Sequence, residues 1–178
     1  MLKRFAITCA FLSALTAHNT GYAQATSTGN AWLSGGIGKS YLPSGMLAAG
    51  YEFANKPTLL IARYILNTEL LSDKQPGLRL SEASLLYGLK TGKFRFSAGL
   101  SGLWGVDRGQ LIRVDPDPLI YGSQYYEPVN YTTVGIPAEI RFITSTKTLG
   151  IGVTAFGNLN TSRSFAGLNI SFYAGKMN

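Results

Sequence analysis

The stretch YTTVGIPAEIRFIT, residues 131–144, decides the fold. Val134, Ile136, Ala138, Ile140 and Phe142 point one way; Thr133, Gly135, Pro137, Glu139 and Arg141 point the other. A period of two over this length is the signature of a strand with one apolar face, since side chains alternate across the pleat. Fourteen residues is long for a strand in an ordinary sheet.

The same alternation recurs on both sides. Candidate strands occupy 31–39, 46–54, 58–68, 80–91, 94–106, 131–144, 148–157 and 164–174. Each is near or above the roughly 9–11 residues that a tilted strand needs to cross a bilayer. Between 94 and 106, Phe94, Phe96, Ala98, Leu100 and Trp104 oppose Arg95, Ser97, Gly99 and Ser101. The stretch 58–68 is less clear: Leu60, Ala62, Tyr64 and Leu66 form one apolar face, yet Leu59, Ile61 and Ile65 share the other with Arg63. The links alternate in length. Residues 55–57, 92–93 and 145–147 are tight turns, whereas 40–45, 69–79, 107–130 and 158–163 run longer. Short turns at one end and long loops at the other describe an all-β, eight-stranded antiparallel up-and-down transmembrane barrel.

The polar face decides which way the barrel is turned. A soluble surface is roughly 25–35% charged. Here the non-apolar face is mainly Gly, Ser, Thr and Asn, with few charges of nearly balanced sign: Glu52, Glu82 and Glu139 against Arg63, Lys90, Arg95 and Arg141. That set suits a lumen charge network, because an unpaired buried charge costs several kcal/mol. The apolar face then looks outward into lipid. Phe53, Tyr87, Phe94, Phe96, Phe142 and Phe172 gather near its turn end, and Tyr64 and Trp104 near its loop end. Aromatic belts of this kind form where one ring edge meets water and the body meets hydrocarbon.

The first residues place the chain. Lys3 and Arg4 precede an apolar run from Phe5 to Ala17, too short for a membrane helix, and Ala23-Gln24-Ala25 offers a small-x-small cleavage site. Residues 1–25 are therefore expected to be a secretory signal peptide, and 26–178 one barrel domain; cleavage after Ala23 is the near alternative. Cys9 lies too close to Arg4 to follow an apolar core, which argues against lipidation. Cleavage removes the only Cys and the only His (Cys9 and His18), so disulfides, thiol nucleophiles, a His base and soft metal sites are not expected. The formal charge of +7 falls by two with the leader, and no Lys/Arg run remains to suggest nucleic-acid binding.

With these strands and faces, the chain resembles the small eight-stranded outer-membrane barrels of the outer membrane protein A transmembrane-domain type. The resemblance implies residence in the outer membrane, contact with its lipid, and insertion by barrel-assembly machinery that reads the last strand. Gly167, Ile170 and Phe172 stand at spacing suited to that signal. Phe165 stands where a polar residue is usual, and the ending Ala174-Gly175-Lys176-Met177-Asn178 resembles tails of Bacteroidetes-type barrels.

Motifs that carry chemistry are weak. Gly35-Gly36-Ile37-Gly38-Lys39-Ser40 resembles part of a phosphate loop, but Leu33 stands where a glycine is required and Pro43 and Gly45 follow in place of a helix. No Ser-His relay can be assembled without histidine, so no enzyme, catalytic residue or cofactor is expected. Asp107, Asp115, Asp117 and Glu127 match no metal-loop spacing. Tyr121, Tyr125 and Tyr126 on the longest loop are recognition candidates, since tyrosine offers contact area at low entropic cost; packing of the rings on one another is the alternative. The expected function is a non-enzymatic outer-membrane barrel with a structural or surface-interaction role through its loops, toward an extracellular or envelope protein. The competing expectation is a soluble secreted or periplasmic barrel that binds a small hydrophobic ligand, with the apolar face lining a cavity.

Overall fold

The computed structural model describes residues 29–70, 72–115 and 124–177. The expected leader, residues 1–25, lies outside them. Nine strands are present: β1 (Asn30–Lys39), β2 (Pro43–Glu52), β3 (Thr58–Thr68), β4 (Lys74–Gln75), β5 (Arg79–Thr91), β6 (Phe94–Val114), β7 (Gln124–Ser145), β8 (Leu149–Asn160) and β9 (Phe165–Gly175). All but the two-residue β4 pair antiparallel with their chain neighbours, and β9 returns to β1, so eight strands close a barrel. Closure leaves the barrel wall without an edge strand.

Register fixes its width. Stepping across paired residues from Asn30 passes Glu52, Leu59, Gly88, Ser97, Glu139, Phe156 and Gly167. The next step lands one position past the Lys39–Leu168 pair, at residue 40, so the walk climbs ten residues. Eight strands with that stagger tilt by about 40° and enclose a channel that side chains can fill. The tight turns suit this geometry. Gly92 takes a φ of 57° at the first position of a two-residue turn, where a type II′ hairpin calls for glycine.

Alternation sorts the two faces. Val134 is 80% exposed, Leu100 74% and Phe172 70%, whereas Arg63, Arg95, Glu139 and Arg141 are buried. The unclear strand resolves the same way: Leu59, Ile61 and Ile65 point inward beside Arg63. The lumen is therefore not filled by small and charged residues alone. One apolar cluster (Trp32, Leu59, Ile61, Leu86, Tyr173 and Met177 among its members) fills one level, and Met46, Ile65, Leu80, Leu103, Phe156 and Phe165 fill another.

The longest link departs from expectation. Residues 107–114 and 124–130 are not a plain loop: β6 and β7 continue beyond the barrel wall as a paired arm, through Asp107–Val129, Arg108–Pro128, Leu111–Tyr126 and Val114–Gln124. β4, inside the 69–79 link, adds a short parallel strand at Lys74–Gln124 and Gln75–Tyr125. The expectation stopped where apolar and polar residues cease to alternate. Beyond the wall neither face is buried, and pairing rests on backbone hydrogen bonds and on β-favouring Val, Ile and Tyr.

Candidate functional site

The seven charged residues expected inside the barrel form two separate groups. In the first, Arg63 donates from Nη1 to Glu139 (2.7 Å) and from Nη2 to Glu82 (2.6 Å). Arg141 binds the same Glu139 through Nε and, at 2.9 Å, through Nη2. Ser97 Oγ donates to Glu139 at 3.2 Å. Two guanidinium groups thus share one carboxylate, and the second carboxylate, Glu82, balances the charge. Arg141 also lies over the Trp32 ring at 5.4 Å and Arg63 over Phe156 at 5.9 Å, so this layer joins the two apolar clusters. In the second group, Glu52 accepts from Lys90 Nζ and from Arg95 Nε, each at 2.8 Å. It lies by the turns, where β2, β5 and β6 begin or end. Pairing and burial give both groups a packing role, and within the first Arg63 Nε and Glu82 Oε2 are buried without a hydrogen-bond partner among the described residues.

The arm is the other candidate. Tyr125 and Tyr126 are half-buried on it, and Tyr121 lies outside the described residues. Arg113 stacks over Tyr125 at 4.7 Å and Arg108 over Tyr126 at 5.8 Å, while the Tyr126 hydroxyl donates to Gln124 at 2.8 Å. The chain's own arginines therefore cover these rings in part. The arm leaves bare apolar Leu111, Ile112, Val114 and Val129, beside exposed Gln110, Arg113 and Glu127. On its β6 side, among the described residues, no strand pairs with Asp107–Val114, because β5 ends at the Arg79–Val106 pair.

Arg108 anchors the arm's base, donating to Glu69, to Pro76 O (2.9 Å), to Ser72 Oγ (3.1 Å) and to Lys74 O (3.0 Å). Sequence reading passed over it, because its partners lie in another link. Asp107 pairs with Arg163 at 3.0 Å, and Asp117 lies outside the described residues. Among the described residues no group of three acidic, His or Cys side chains is placed to hold a metal ion.

No family model and no curated protein matches the sequence. Solved structures do. The N-terminal β-barrel domain of Pseudomonas aeruginosa OprF is similar over 83% of this chain and 98% of that one, with 12% identity and a TM-score of 0.52. The Yersinia pestis outer membrane protein Ail, whose backbone structure was determined in a phospholipid bilayer nanodisc, is similar over 83% and 99%, with 11% identity and a TM-score of 0.52. What this chain shares with them is the fold, an eight-stranded outer-membrane-type β-barrel.

Proposed function

We propose that this chain is a non-enzymatic integral protein of a bacterial outer membrane, whose barrel carries the β6–β7 arm as a surface-interaction element. One observation carries the membrane part. Between the Phe94–Phe142 level and the Ser81–Trp104–Thr132 level, no outward side chain of the barrel is charged, while the ion pairs of Arg63, Glu82, Glu139 and Arg141 are buried inside. That arrangement is unfavourable in water and favourable in hydrocarbon, where each apolar side chain meets lipid and each backbone group is paired. The soluble alternative needs the apolar face to line a cavity. Here that face is outside.

The arm supports the second part. A paired hairpin beyond the wall, with exposed Leu111, Ile112 and Val114 beside Arg113, offers contact area that the barrel's own packing does not use. The test is fractionation of the full chain expressed in a Gram-negative host. Retention in carbonate-washed outer membranes, with a mobility in SDS that changes on boiling, is the expected result. Release into the soluble fraction overturns the reading.

A further inference from the structure

Seven arginines lie among the described residues. Arg63, Arg95, Arg108, Arg141 and Arg163 each pair with a carboxylate, and Arg113 stacks on Tyr125. Arg79 alone is exposed with neither partner among the described residues. Register shows where it points. Arg79 opens β5 opposite Val106, which is opposite Asn130, and the next outward row is Ser81, Trp104 and Thr132. With Gly105 and Tyr131 these two rows line a hollow of about 380 Å³ on three neighbouring strands. Its outward rows offer one guanidinium, the two hydroxyls of Ser81 and Thr132, an amide and an indole face, and no carboxylate. Under it Tyr64 donates to Ser81 Oγ at 3.2 Å, and the Tyr64 and Trp104 rings lie 6.2 Å apart.

We infer that this hollow binds the phosphate headgroup of a lipid in the outer leaflet, an inference that rests on the membrane reading above. Guanidinium forks match phosphate oxygens, and such charge-assisted bonds are about twice as strong as neutral ones. Thr132 and Asn130 add neutral donors beside it. Height selects a lipid over a dissolved anion: Arg79 stands one row beyond the Tyr64–Trp104 ring pair, where a belt aromatic marks the headgroup layer. Trp104 and Val106 then offer apolar surface to the glycerol and upper acyl chain.

The test uses the full chain in phosphatidylcholine bilayers, with and without a minor fraction of phosphatidic acid. The Trp104 indole N–H and Arg79 Nε–H resonances report binding. Phosphatidic acid is expected to shift both saturably, inorganic phosphate to leave them unmoved, and Arg79→Gln to weaken the response about tenfold. Arg113→Gln, on the arm, leaves the response intact. An equal response in Arg79→Gln overturns the site, and reproduction by inorganic phosphate overturns the lipid as its ligand. A barrel that enters the bilayer, keeps its heat-modifiable mobility and ignores phosphatidic acid refutes the site and spares the membrane reading. A chain that does not enter the bilayer refutes both.

Discussion

Arg108 on β6 and Glu69 just past β3 form an ion pair that ties the arm to a link 39 residues earlier in the chain. The contact is cooperative in layout: the same guanidinium holds two carbonyls of that link, and Glu69 accepts the Leu78 N–H at 3.1 Å. Link and arm therefore order each other. Partial burial pushes the Glu69 carboxyl up, but the Arg108 and Leu78 hydrogen bonds outweigh it and hold the group below its ordinary value of 4.5.

Hence the clasp should fail with acid. A carboxyl lowered in the folded state stabilises fully above its unfolded value, and that contribution is lost as pH falls through the folded value. Amide protection at Lys74 and Leu78 should be constant at neutral pH and drop below about pH 4. In Arg108→Gln it should already be low at neutral pH, with the acid step gone. Hydrogen exchange on the refolded barrel reads both, and an unchanged acid step in the variant would refute the clasp.

The central layer of the lumen predicts a larger effect. Replacing Glu139 by Gln leaves Arg141 buried without its carboxylate, and breaking one side of a buried pair costs about 3–5 kcal/mol. Urea unfolding from lipid vesicles should show that loss in Glu139→Gln, and the added change Arg141→Met should recover part of it. Residues sharing one network couple, so the two single changes should not add. Additive losses would mean that the geometry of Glu139 and Arg141 has no energetic consequence.

How much of this could be seen in the chain itself differs from residue to residue. The barrel was legible because an apolar outer face and a crowded lumen impose strict alternation, as at Val134 and Glu139. The charged residues of the lumen were legible as a set for the same reason. Their partners were not. That Arg63 meets Glu82 and Glu139, while Glu52 meets Lys90 and Arg95, depends on the ten-residue stagger, a property of closure and not of any one strand. Leu59, Ile61 and Ile65 blurred their strand because a plugged lumen tolerates large apolar groups inside. The arm was missed because water on both faces removes the pattern altogether.

The glycines once readable as part of a phosphate loop line the closing seam. A Cβ on Gly36 would stand 2.3 Å from Ile170 O, and one on Gly38 would stand 2.1 Å from Leu168 O. Both carbonyls belong to β9, so the clash falls where the last strand must meet the first. Gly38→Val should lower the fraction that becomes heat-modifiable on refolding. Gly45→Val, where nothing lies within 4 Å of the added Cβ, should refold as the parent does. Equal yields for the two would show that the seam tolerates a side chain.

The outward face gives the sharpest test of the medium around the barrel. Leu100 pairs with Leu85 in the middle of the apolar band and is exposed to whatever surrounds it. In hydrocarbon, an arginine at such a depth costs about 2–4 kcal/mol, falling to about 0–1 near the interface. In water the same change on a 74% exposed side chain costs almost nothing. Leu100→Arg should therefore lose about 2–4 kcal/mol of folding free energy in vesicles, and Thr132→Arg, on the outer row beside Trp104, should lose about 1 or less. A lipid-facing wall produces that gradient with depth, and a wall facing water produces two near-zero values. Two equal losses would instead point to packing strain, and would remove depth in a bilayer as the explanation.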